Sequence, residues 1–148
     1  ALSIGFADPD IDDLDPLLNL ASAYADPSDG VNHGRYVAQE PSGANAAKHV
    51  LQISGVDDSY TPDANQHALA RALRLHQLPH GNDPIGSVNE TTAPVSLNRY
   101  DRTLVVSLFA NTGSKDGHFV LFDDDSAQRT VAQFLATAAL DGTPVVVE

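Results

Sequence analysis

The apolar residues of this chain gather in two short runs and two helical stripes, with long polar stretches between them. Residues 48–55, KHVLQISG, contain an apolar run without strict alternation, which is typical of a strand covered on both faces in a mostly parallel sheet. We therefore expect a central strand there. Residues 102–110, RTLVVSLFA, form the second clear strand.

Two other stretches carry apolar residues at helical spacing. Residues 61–75 predict an amphipathic helix with Thr61 as its N-cap and Pro62 at its first position. Residues 127–140 predict a second helix, capped by Asp125 or Ser126 and ended by glycine and proline. Strand, helix, strand and helix in this order favour an α/β fold with a mostly parallel sheet and flanking helices.

The rest of the chain is polar and rich in turn residues. Residues 1–47 are expected to be loop-rich, with one short helix after Pro16, and to precede the strand–helix–strand–helix unit of residues 48–148 in a single domain. The acidic cluster at residues 8–15 is interpreted as a solvated turn, since its spacing does not match an EF-hand calcium loop. Residues 76–101 are broken by prolines and glycines, and we expect an insertion or excursion on the surface.

The composition of the chain excludes several kinds of partner and reactive group. The 148 residues are 42% apolar and 19% charged, which suits one globular unit with a core. Because 20 acidic residues stand against 8 basic ones, the surface should repel phosphate backbones, and we expect no nucleic-acid partner. The lack of cysteine excludes disulfides, thiolate metal sites and a cysteine nucleophile. No apolar window is long enough for a membrane-spanning helix, and the first residues lack the features of a signal peptide.

Two loops that follow the predicted strands carry candidate chemistry. Gly55-Val56-Asp57-Asp58 comes directly after the first strand, and Asp116-Gly117-His118 comes a few residues after the second. Reactive groups in open α/β sheets gather at the carboxyl ends of the strands. A carboxylate held against an imidazole fixes its tautomer and stabilises the imidazolium, so the two loops predict an acid–histidine pair. A helix cap at the aspartate and a structural role for the histidine are the alternatives.

The order of elements along the chain resembles the C-terminal half of an α/β-hydrolase. This order is strand, G-x-x-D, helix, strand, G-H and helix, and the segments HVLQISGVDDSYTP and DGHFVLF carry the likeness. Residues 14–20 and 26–29 are similar to the stretch before the acid strand in bacterial lipase-like hydrolases. The resemblance implies a serine ester hydrolase, lipase-like or esterase-like, with Asp58 as triad acid and His118 as triad histidine. Asp58 is preferred to Asp57 because the family pattern counts three residues from the glycine, here Gly55.

The nucleophile is missing from this pattern. The elbow G-x-S-x-G occurs nowhere, no His-Gly oxyanion segment precedes a strand, and the serines beside glycine (Ser54, Ser87 and Ser114) lack the second glycine. We therefore expect this chain alone to be inactive. The expected partner is an N-terminal half that carries the nucleophile, either a separate chain or a removed segment, and the expected substrate is an ester or lipid.

Other interpretations stay open. The chain does not begin with Met, so it is expected to be a processed product or a piece of something longer. A half-sheet would leave an open strand edge, which favours a partner chain or a dimer. The main alternative function is a non-catalytic binding module with a hydrolase-derived fold, and a local site of Ser114 and His118 is less favoured. No cofactor is implied, and the remaining histidines lack paired metal-ligand spacing.

Overall fold

The computed structural model describes residues 16–79, 84–110 and 116–147. Its strands are β1 (Val50–Gly55), β2 (His76–Leu78), β3 (Asn89–Glu90) and β4 (Leu104–Phe109). Its helices are α1 (Pro16–Ala25), α2 (Gly30–His33), α3 (Arg35–Ala38), α4 (Asp63–Ala72), α5 (Val120–Asp123) and α6 (Asp125–Asp141). Short 3-10 turns occupy Asp26–Ser28 and Gly117–Phe119.

The strands form one parallel sheet in the order β1-β4-β2-β3. The predicted α/β fold, a mostly parallel sheet with flanking helices, is confirmed. Within the described ranges β1 pairs with β4 alone and lies at the edge of the sheet, so the expectation that residues 48–55 form a central strand is wrong. The central position belongs to β4, which lies between β1 and β2.

Alternate residues of β4 divide the core between the two faces of the sheet. All six residues of β4 are buried. Leu104, Val106 and Leu108 pack in a cluster with Ala70 and other residues of α4 and its flanks, whereas Val105 packs with Leu78, Val95 and Val146. Because successive side chains of a strand point to opposite faces, a strand covered on both faces is apolar throughout rather than alternating.

Part of residues 76–101 lies in the core, so the expectation that this segment is an excursion on the surface is wrong for its buried residues. The segment supplies β2 and β3, and it buries Leu78, Ile85 and Val95. The buried side chain of Gln77, 2% exposed, accepts a hydrogen bond from the backbone N–H of Ile85 at 2.7 Å. The polar appearance of this segment arises partly from a glutamine that satisfies a buried backbone donor.

The predicted helices are present with shifted starts. The first begins at Asp63, since the backbone N–H of Thr61 donates to the Asp58 carboxylate and Thr61 does not cap the helix. The last begins at Asp125, because the Asp124 side chain caps it by accepting from the N–H groups of residues 126 and 127. The helix after Pro16 is α1, and residues 8–15 lie outside the described residues. None of the described helices is both long and apolar enough to cross a membrane.

Leu78→Ala tests whether β2 is part of the core. Leu78 is 0% exposed, so removal of its side chain leaves a cavity and should lower the free energy of unfolding by about 2–5 kcal/mol. Urea unfolding measures this change. Leu97→Ala in the same segment is the control, because Leu97 is 49% exposed and its truncation should cost much less. Equal effects of the two substitutions would contradict the buried position of β2.

Candidate functional site

The acid loop (residues 55–62) and the histidine loop (residues 116–119) lie side by side at one edge of the sheet. Gly55 and Phe109 are register partners at the carboxyl ends of β1 and β4, and the N–H of Val56 donates to the carbonyl of Phe109 at 3.0 Å. Residues 111–115 lie outside the described residues, and the chain is described again from Asp116. Adjacent parallel strands therefore deliver both loops to the same edge.

Two glycines let these loops touch backbone to backbone. A Cβ atom on Gly55 would lie 2.0 Å from the carbonyl oxygen of Gly117, and one on Gly117 would lie 2.2 Å from that of Val56. The N–H of Gly117 is 3.4 Å from the carbonyl oxygen of Asp57, to which it donates. No other residue type fits at either position without separation of the loops.

Asp57 turns the chain within the acid loop. Its φ of 60° is left-handed, a conformation that Asp and Asn tolerate better than most residues. Its side chain is exposed, while its carbonyl accepts the Gly117 N–H. Asp57 thus acts through its backbone, and Asp58 is the aspartate that faces the histidine.

The Asp58 carboxylate has four hydrogen-bond partners. Oδ1 accepts from the N–H groups of Tyr60 and Thr61 at 2.9 and 2.7 Å. Oδ2 lies 3.2 Å from Nε2 of Gln66 and 3.3 Å from Nδ1 of His118. The side chain is 8% exposed. Asp58 therefore caps the turn before α4 and also holds the histidine, so the two interpretations of this residue are compatible.

Asp116, to whose side chain the sequence assigns no role, ties the two loops together through its carboxylate. It accepts from the N–H of His118 at 2.9 Å and from the N–H of Ser59 at 3.1 Å. Hydrogen bonds from the Ser59 side chain, then from the His118 backbone, hold the pKa of Asp116 below its usual range. The folded loops are therefore favoured above the ordinary carboxyl pKa, and this contribution is lost as the pH falls through the lowered value.

His118 presents Nδ1 to the acid, and no described residue is hydrogen-bonded to its Nε2. With Nδ1–H donating to Asp58, Nε2 carries the lone pair and can accept a proton. The side chain is 42% exposed. The Tyr60 ring lies 4.7 Å from the imidazole and the Phe119 ring lies 5.2 Å from it, centroid to centroid. These ring contacts and the Asp58 hydrogen bond orient the imidazole.

A cleft of about 690 Å³, within the size range of small-molecule sites, borders the pair. Asp58 and His118 line it together with polar groups from β1 and α4 and apolar side chains from α5, which include Gln52, Gln66, Val120, Leu121 and Phe122. The cleft therefore combines a proton acceptor with an apolar wall.

Among the residues that the structure describes, no serine side chain is hydrogen-bonded to the His118 ring. Ser54 lines the same cleft as His118, but its hydroxyl accepts from Gln52 at 3.0 Å, whereas Ser87 lines a different cleft. Ser114 lies outside the described residues. Over these same ranges no group of three or more potential metal ligands occurs.

Comparison with known proteins finds no family model, no curated protein and no solved structure that matches this chain. The chemistry of the pair is therefore inferred from its geometry and from the order of the motifs along the chain.

Gly117→Ala tests the backbone contact between the loops. The added methyl would collide with the Val56 carbonyl, so the loops must separate at a cost of about 1–3 kcal/mol, and the Asp58–His118 hydrogen bond should be lost. Urea unfolding gives the stability, and imidazole NMR signals report the hydrogen bond. Gly86→Ala is the control, because a Cβ there would meet only the Arg71 side chain at 3.8 Å. The loop contact is disproved if Gly117→Ala behaves like the control.

Proposed function

We propose that this chain supplies the triad acid and histidine of a serine carboxylic-ester hydrolase, as the C-terminal half of an α/β-hydrolase. The observation that carries the proposal is the 3.3 Å approach of Asp58 Oδ2 to His118 Nδ1 at the carboxyl ends of neighbouring parallel strands. In that arrangement the histidine takes the proton of a serine hydroxyl at Nε2 and later returns it to the leaving group. The acid orients the ring and stabilises the imidazolium.

The surroundings of Asp58 suit an orienting role. Three donors other than His118 bind its carboxylate, two of them backbone N–H groups, so the acid is held in place without help from the histidine. A carboxylate held by this many donors keeps its position while the imidazole gains and loses a proton. The proton therefore moves at Nε2, and the acid never has to accept it.

The nucleophile and the oxyanion donors belong, in this proposal, to a segment or chain beyond these 148 residues. One side of β1 faces no strand among the described residues, so a further strand could pair there and bring a nucleophile loop to the same edge. The acyl group of an ester or lipid would lie in the cleft against the side chains of α5.

A non-catalytic binding module is the alternative function. The observation that favours it is the group of exposed aromatic rings beside the cleft, which consists of Tyr60, Phe119 and Phe122. Such rings contact an apolar ligand whether or not chemistry follows. Measurement of turnover separates the two functions.

The isolated 148-residue chain should not hydrolyse p-nitrophenyl esters above background, because an acid and a base without a nucleophile retain little catalytic power. A complex with the N-terminal portion should hydrolyse them. Turnover is followed by nitrophenolate release for the chain, the N-terminal portion and the complex. Turnover by the chain alone that disappears when one of its own serines becomes alanine would establish a local nucleophile instead.

His118→Ala in the reconstituted protein should lower kcat by a factor on the order of 10³ or more, because it removes the proton acceptor and only binding and oxyanion stabilisation remain. The fold should be kept, since the ring is partly exposed. Asp58→Asn should leave measurable residual turnover, because the acid orients the base and takes no proton. Steady-state kinetics and circular dichroism provide the two measurements.

Asp57→Asn is the matched control, since its exposed side chain neighbours the acid and its backbone can keep the left-handed conformation. It should leave kcat close to that of the parent protein. If Asp57→Asn is damaging and Asp58→Asn is silent, the acid has been assigned to the wrong aspartate. Near-normal activity of His118→Ala would rule out the proposed mechanism.

A further inference from the structure

A second cleft, of about 840 Å³, gathers much of the positive charge of the chain. It lies beside the C-terminal end of α4 and is lined by Arg35, Arg71, Arg74 and Arg99. These are four of the eight lysines and arginines in a chain with a net charge of −12. We call this site the arginine cleft. Half of the basic residues therefore share one concave surface in a strongly acidic protein.

The guanidinium groups retain donors for a ligand. Arg71 uses Nε to bind the Gly86 carbonyl at 2.7 Å, which holds its side chain across the cleft wall and leaves its terminal N–H groups for other acceptors. Arg74 has a left-handed φ of 59° and an exposed side chain. Within the described ranges that side chain makes no ion pair or hydrogen bond.

Each of the other two arginines lies over the ring of the tyrosine that follows it in the chain. Arg35 donates to the Tyr36 hydroxyl, and its Nε lies 4.0 Å from the Glu40 carboxylate in an exposed pair of the kind that contributes little. Arg99 approaches His76 Nε2 at 3.5 Å, a long contact. Four guanidinium groups against the single carboxylate of Glu40 leave the lining with an excess of three positive charges.

We propose that the arginine cleft binds a small phosphate-bearing molecule. Planar guanidinium groups bind phosphate oxygens in bidentate fashion, and one phosphate offers three acceptor oxygens and about two negative charges. The volume of the cleft is that of a small-molecule site rather than that of a single ion. A long nucleic-acid backbone is disfavoured, because the net charge of −12 on the chain repels it. This inference does not depend on the proposed hydrolase function.

Calorimetric titration of the 148-residue chain with inorganic pyrophosphate tests the proposal, at low salt and at about 0.15 M salt, where exposed charges are screened beyond about 8 Å. We expect saturable binding to one site. Arg74→Gln and Arg71→Gln should each raise Kd about tenfold, the effect of the loss of one charge-assisted contact. Arg74→Gln is the more informative variant, since its side chain has no partner to lose within the described ranges and the fold should be unaffected.

Arg129→Gln is the matched control, because Arg129 is exposed on α6 and does not line the cleft. Its Kd should equal that of the parent chain. An equal loss in Arg129→Gln would show that binding follows overall charge and would overturn the proposal, as would the absence of saturable binding to the folded chain at millimolar pyrophosphate. Citrate is titrated in parallel, and binding of citrate without pyrophosphate would assign the site to polycarboxylates and refute the phosphate ligand.

Discussion

The contact between the backbones of Gly55 and Gly117 is the constraint on which the candidate site depends. Each glycine has a main-chain carbonyl oxygen close to the position that a Cβ atom would occupy. The two loops can therefore approach this closely only because neither residue carries a side chain. The strand register sets up the contact, because Gly55 and the last residue of β4 lie opposite each other. One side chain from each loop can then meet: an aspartate three residues after Gly55 and a histidine next to Gly117.

Around this contact, each loop supplies one carboxylate that forms a hydrogen bond to the other loop. Asp116, in the histidine loop, binds the backbone of Ser59 in the acid loop, and Asp58, in the acid loop, binds the ring of His118 in the histidine loop. Each carboxylate also accepts N–H groups of its own loop, which fixes its position before it reaches across. The arrangement is preorganised, since hydrogen bonds within each loop already hold both carboxylates in place.

The sequence predicts the parts of this arrangement that leave a periodic or spacing signal. The apolar runs locate β1 and β4, and helical spacing locates α4 and α6. The choice of Asp58, the aspartate found beside His118, comes from the resemblance to a family pattern that counts three residues from the glycine. It does not predict β2, which is three residues long and carries a histidine and a glutamine. Gln77 is buried because it satisfies the Ile85 N–H, a tertiary contact that no local pattern encodes. The sequence does not predict the edge position of β1 either, since strand order is set by pairing between distant segments.

Helix α4 connects the acid–histidine pair to the arginine cleft. Its buried Gln66 donates to Asp58, and Arg71, in its last turn, lines the arginine cleft together with Arg74 just beyond. Ala68 of α4 and Val31 of α2 line both clefts, so the two clefts are neighbours. The position of α4 is fixed by Ala70, which is fully buried in the cluster that contains Leu104, Val106 and Leu108 of β4. Since β4 also aligns the acid loop with the histidine loop, the central strand determines the geometry of both sites, although it contributes no side chain to either cleft.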